Sequence, residues 1–124
     1  MSLILKTIDL DYTTLDFHEN FVESKMKEGT VFSLEQIDNL IAVCSEYFLD
    51  KPFVYISRRI HNYNVNPTIY LQLVKVPNLK GIAIVSDKAS SLNMAQFEKQ
   101  FSKIPFEIFL ELKDAVKWAK TKIL

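Results

Sequence analysis

Arg58-Arg59-Ile60-His61-Asn62-Tyr63 gathers two guanidinium groups, an imidazole, an amide and a phenol in one short stretch, and Asn66 and Thr68 follow soon after. Groups of this kind can hold a phosphate, a carboxylate or an acidic side chain through charge-assisted hydrogen bonds. Ser86-Asp87-Lys88 is a second polar connection of similar chemistry. The candidate site is therefore Arg58, Arg59, His61, Asn62, Tyr63, Asn66, Thr68, Ser86 and Lys88. Successive residues of an extended segment point to opposite faces. One of Arg58 and Arg59 is expected to face the site, and the other to make a surface ion pair.

Other chemistry is sparser. Asp16 and His18 lie two apart, with Asp9 and Asp11 nearby. Two ligands fall short of the three or four that a metal site needs, so these read as charged residues at turns and on a solvated face, and no metal is expected. Cys44 sits within an apolar helical pattern and reads as inert core. His61 has no nucleophile beside it, so a Cys–His catalytic pair is not the expectation. The chain has two glycines, Gly29 and Gly81, and neither belongs to a glycine-rich phosphate loop. No cofactor is expected. Lys113, Lys117, Lys120 and Lys122 surround Trp118 and read as a solvated helix face.

The elements that must position these residues follow from hydrophobic period. Leu3–Leu5 with Ile8, Tyr12–Phe17 and Phe21–Met26 read as three strands. Ser33 and Gln36 form a capping box, opening a helix with Ile37, Leu40, Ile41, Cys44 and Phe48 inward. Asp50-Lys51-Pro52 stops it. Phe53–Ser57 reads as a central buried strand, and Arg58–Val65 as a polar loop. Asn66 and Pro67 start a second helix as cap and first residue, with Ile69, Leu73 and Val76 inward. Its free N–H groups would face the candidate loop. Gly81–Val85 is another buried strand. Ser90 or Ser91 caps a third helix, with Met94, Phe97 and Phe101 inward. Pro105–Phe109 alternates as an edge strand. The last helix buries Leu112, Ala115, Val116, Ala119 and Ile123. The order predicts an α/β fold. Its mixed sheet has antiparallel strands first, and then helices and strands alternate through parallel crossovers. One domain over residues 1–124 is expected.

Composition narrows the function. Of 124 residues, 48% are apolar, and 15 basic residues balance 15 acidic ones. A duplex-tracking surface needs clustered excess positive charge, so nucleic acid is not an expected partner. No apolar run approaches a membrane span. The opening Met1-Ser2-Leu3-Ile4-Leu5-Lys6 is too short in apolar residues for a signal peptide. With its single cysteine, the chain reads as cytoplasmic. Nine phenylalanines, five tyrosines and one tryptophan read mainly as core, the alternative being a cavity for a lipid-like ligand.

From Lys51 onward the chain resembles the STAS-like group, which is related to bacterial anti-sigma-factor antagonists, and within it an uncharacterised bacterial branch. The residues that carry the likeness are Lys51-Pro52 before Phe53–Ser57, the strand Gly81–Val85, and the ending Phe106-Glu107-Ile108-Phe109 with Leu112, Asp114-Ala115 and Trp118. The resemblance implies a STAS-like fold and a non-enzymatic regulatory module that binds a protein partner. The antagonists carry a phosphorylated serine in an Asp-Ser-Ser-Gly turn. Here the corresponding place reads Asn64-Val65-Asn66-Pro67-Thr68, where only Thr68 offers a hydroxyl, and no phosphosite is carried over. The leading expectation is a regulatory or protein-interaction module of unknown partner. The alternative is a binding domain for a small anionic or lipid-like ligand. A homodimer through exposed sheet edges also fits.

Overall fold

The computed structural model describes residues 3–124, so Met1 and Ser2 of the expected single domain lie outside the described residues. Eight strands and four helices follow in chain order. They are β1 (Lys6–Asp9), β2 (Thr13–Phe17), β3 (Phe21–Met26), β4 (Val31–Phe32), α1 (Leu34–Phe48), β5 (Phe53–Arg58), β6 (Asn64–Val65), α2 (Ile69–Leu73), β7 (Leu79–Val85), α3 (Ala89–Lys99), β8 (Phe106–Phe109) and α4 (Leu112–Lys122).

Six strands form one sheet in the order β1-β2-β3-β5-β7-β8. The first three pair antiparallel, and β3-β5-β7-β8 pair parallel. This is the mixed sheet expected from the element order, with β8 at an edge. The reason is connection length. Short links fold β1, β2 and β3 back on one another, whereas parallel neighbours need a crossover such as a helix.

Alternation along the strands sorts side chains onto two faces. Leu15, Phe17, Val22, Met26, Phe53, Tyr55, Ile82 and Ile84 pack toward α1 and α2 in the larger core. Val54, Ile56, Ala83 and Val85 pack on the other face against Ala115 and Ala119 of α4. Covered on both faces, β5 and β7 read as almost continuous apolar runs. Gln36 reaches back to the Ser33 N–H at 3.2 Å, the part of the expected capping box that fixes the start of α1.

Several expectations are corrected. The first strand begins at Lys6, and Leu3, Ile4 and Leu5 are exposed. The predicted loop contains β6, which pairs parallel with β4. Two-residue strands are too short to show a period. Lys88, not Ser90 or Ser91, is the cap residue of α3. Most consequentially, Phe97 and Phe101 face outward, while Ser91, Ala95 and Glu98 face the sheet. Among the described residues, no helix is long and apolar enough to cross a membrane.

The small residues of α4 let it lie close to β7. A Cβ placed on Gly81 would come within 3.0 Å of Trp118 Cη2 and 3.2 Å of Cζ3. Gly81→Ala is therefore expected to destabilise the protein by about 1–3 kcal/mol through overpacking. Trp118→Phe in the same chain should recover part of that loss, measured as non-additivity in urea unfolding. Purely additive effects would show that the ring does not set this spacing.

Candidate functional site

The candidate residues start from the end of β5. Inward alternation through Phe53, Tyr55 and Ser57 carries on to Arg59, which turns toward α3, while Arg58 turns to the opposite face. There Arg58 Nη1 lies 3.7 Å from Glu23 Oε2. Glu23 and its cross-strand neighbour Asp16 also meet Lys25 Nζ, at 3.7 and 3.3 Å. Arg58 thus belongs to a charged patch on the far face of the sheet and is removed from the site.

Arg59 is buried. Its Nη1 donates to Glu98 Oε2 and its Nη2 to Glu98 Oε1, each at 2.6 Å. The two side chains are only 4% and 1% exposed, so both charges lie out of water. Tyr70 Oη donates to the same Glu98 Oε1 at 2.5 Å. The Arg59 guanidinium lies 5.4 Å from the centre of the Tyr63 ring, and Tyr63 Oη shares a hydrogen bond of 3.0 Å with Ser57 Oγ. Burial by itself would lower the Arg59 pKa. Tyr63 and the hydrogen bond and charge of Glu98 outweigh it, so the guanidinium is held more firmly protonated than in water. Burial, with Glu98 beside it, drives the Tyr70 phenol pKa well above its ordinary value. Glu98 and Tyr70 were not among the expected site residues.

The remaining candidates divide into struts and surface. Ser86 is buried and its Oγ accepts from Lys88 N at 3.2 Å. Lys88 Nζ donates to the Ile60 carbonyl, tying the two loops together. Asn66 Oδ1 accepts from Thr68 N at 3.1 Å and from Thr68 Oγ1 at 2.8 Å. The expected helix start is corrected: α2 runs only from Ile69 to Leu73 with Thr68, not Asn66, as cap residue, and its first N–H groups already meet the carbonyls of Asn66, Pro67 and Thr68. His61 and Asn62 are exposed. His61 Nδ1 lies 4.0 Å from Glu28 Oε1.

An open groove runs between this loop and α3. It is lined by Glu28, Arg59, His61, Asn62, Ser91 and Met94, among others. Its floor is rigid because Arg59 and Tyr63 are locked below. Elsewhere, a cavity between α1, α2 and the sheet is lined by Leu40, Cys44, Tyr55 and Leu73 and measures only ≈ 10 Å³. That is room for one water and not for an acyl chain, which removes the lipid-like part of the alternative reading for this cavity.

The metal and nucleophile readings meet specific obstacles. Among the described residues no three metal-ligating side chains converge. Asp16 is occupied by Thr7 and Lys25, and His18 stacks on Phe21 with ring centres 4.1 Å apart. Burial lowers the His18 pKa against the pull of Glu23 and Asp16. Cys44 is buried, and burial pushes its thiol up to about 12.

Two outcomes follow. Glu98→Ala is expected to cost about 3–5 kcal/mol in chemical denaturation, because it leaves the Arg59 charge buried without a partner. Arg59→Met with Glu98→Leu should cost less than Glu98→Ala alone, and the reverse order would show that the charge is solvated in the native state. The Cys44 thiol should stay unreactive toward a chromogenic disulfide at pH 8 until denaturant is added. Rapid labelling of the native protein would contradict its placement.

No family model and no curated protein matches the chain. Among solved structures it is similar to an uncharacterised protein of the DUF3478 family from Shewanella loihica PV-4, described as having a SpoIIAA-like fold. The likeness spans 96% of this chain and 98% of that one, at 15% identity and a TM-score of 0.54. At that identity the likeness is one of fold, and the chain has a SpoIIAA-like, that is STAS-like, α/β fold.

Proposed function

We propose that this chain is a STAS-like regulatory module without catalytic activity, acting as one domain in the cytoplasm. It binds a protein partner across the groove between the Arg58–Thr68 loop and the outer face of α3. One observation carries this reading. Phe97 on α3 and Phe101 in the turn just after it are 52% and 43% exposed, and the inner side of α3 is anchored by a buried ion pair. Their rings meet edge to face with centres 5.2 Å apart. They continue the line begun by Met94 in the groove, at helical spacing. Two neighbouring exposed aromatics beside a groove are the composition of a protein contact. In the groove itself the exposed His61 and Asn62 supply polar groups.

The fold supports the reading by analogy, since fold alone does not establish function. Two of the reactive groups are not open to a substrate. Both terminal nitrogens of Arg59 are taken by Glu98, and the Cys44 thiol is buried and protonated.

The test is native mass spectrometry of gently purified tagged protein, alongside a Phe97→Ser/Phe101→Ser variant. The wild type should carry a stoichiometric protein partner that the variant has lost. Surface substitutions of this kind should change stability by only about 0.5 kcal/mol, so thermal unfolding distinguishes lost docking from lost folding. A partner retained by the variant would place the interface elsewhere. A small added mass in place of a protein would overturn the reading in favour of a ligand-binding domain.

A further inference from the structure

The first turn of α3 opens onto the groove with its donors unmet. Its cap residue, Lys88, supplies no side-chain acceptor. Leu92 N to Lys88 O, at 3.0 Å, begins the intrahelical ladder. The N–H groups of Ala89, Ser90 and Ser91 precede that ladder, at the positive end of an eleven-residue helix. Two further observations point to a ligand. Ser91 is more than nine-tenths buried and lines the groove, and its hydroxyl hydrogen-bonds to no other described residue. Arg59 forms part of the floor, and its Nε is a buried donor without a partner. Buried donors in native proteins are ordinarily met. Among the described residues Arg59 Nε is the one such buried side-chain donor here. Ala89 and Ser90 are exposed at the helix start, so their N–H groups and the Ser91 hydroxyl are open to an acceptor that enters the groove.

The charges around the groove decide which acceptor. Glu98 neutralises Arg59, and Glu28 lies on the wall next to His61. Lys88 is turned to the Ile60 carbonyl. With Arg59 neutralised and Glu28 on the wall, the groove carries no net positive charge, which disfavours a doubly charged phosphate more than a singly charged carboxylate. One carboxylate, with two oxygens for several N–H and O–H donors, matches the donor set.

We propose that this groove binds an acidic side chain of the protein partner. Its carboxylate accepts from the first-turn N–H groups of α3 and from the Ser91 hydroxyl, with Arg59 beneath. This rests on the docking surface proposed above and adds the chemistry of its occupant. From Ser91 to Phe97 the helix rises about 9 Å. The partner segment therefore places an aspartate or glutamate at the groove and apolar residues along Met94, Phe97 and Phe101.

The experiment is an NMR titration of the 15N-labelled full chain with acetate, with chloride and phosphate as controls. Acetate should shift the amides of Ala89, Ser90 and Ser91 saturably. Ser91→Ala should weaken it about tenfold, the loss of one charge-assisted hydrogen bond. Lys88→Asp puts a capping carboxylate at the helix start. It should raise the melting temperature and abolish the acetate response. Saturation by phosphate alone, no saturation by any anion, or an undiminished acetate response in Lys88→Asp would each overturn the carboxylate assignment. If Lys88→Asp keeps a partner that Phe97→Ser/Phe101→Ser loses, this inference fails and the docking surface stands. If acetate binds as expected but no protein partner is recovered, the site stands and its assignment to a partner fails.

Discussion

The buried pair Arg59–Glu98 is the interaction on which the arrangement of this end of the molecule depends. Helix α3 brings almost no apolar surface to the sheet: of its inward residues, Ser91 and Ala95 are small and Glu98 is charged. With Leu92 and Met94 only half-buried, area burial contributes little to holding such a helix, because transfer free energy scales with apolar area. What holds it is a two-pronged hydrogen-bonded ion pair across sheet and helix, completed by the Tyr70 phenol from α2. A buried pair need not exceed well-packed apolar residues in net stability. It does specify geometry, since only one rotation of α3 brings Glu98 over the end of β5. That rotation turns Phe97 and Phe101 outward.

The same pair explains where sequence reading stops. The six strands of the main sheet were legible in chain order because β5 and β7 are apolar runs bounded by polar connections, and α1 and α4 show one apolar side. The opposite directions of Arg58 and Arg59 followed from the two-residue period alone. Helix α3 was misread because hydrophobic periodicity treats phenylalanine as a vote for the interior. Ser91, Ala95 and Glu98 also recur at helical spacing, but nothing in their types marks that side as buried. The available signal was indirect. An arginine at an inward strand position needs an acid, and Glu98 lies on the following crossover helix.

The candidate loop was legible as a cluster and not as a site. Its polar residues looked equivalent in sequence, yet they have three different occupations. Arg58 neutralises carboxylates on the far face. Arg59, Tyr63, Ser86, Lys88, Asn66 and Thr68 hold the local structure together. His61 and Asn62 face solvent. Hydrogen-bond partners distant in sequence decide among these roles, and local composition carries no information about them. The open helix start likewise moved from α2, whose first N–H groups meet the carbonyls of Asn66, Pro67 and Thr68, to α3, whose cap residue makes no side-chain cap bond.

The small β4–β6 pair has a thermodynamic consequence. It fastens the middle of the loop to the segment entering α1 through parallel pairing of Val31 with Asn64 and Phe32 with Val65. Gly29 N adds a bond to the Asn62 carbonyl at 2.9 Å. A connection of this length would otherwise sample many conformations, and its ordering would oppose association at every encounter. Here that entropy is surrendered when the chain folds. The groove is thus a surface already in its final shape, suited to rigid docking with side-chain adjustment rather than loop closure.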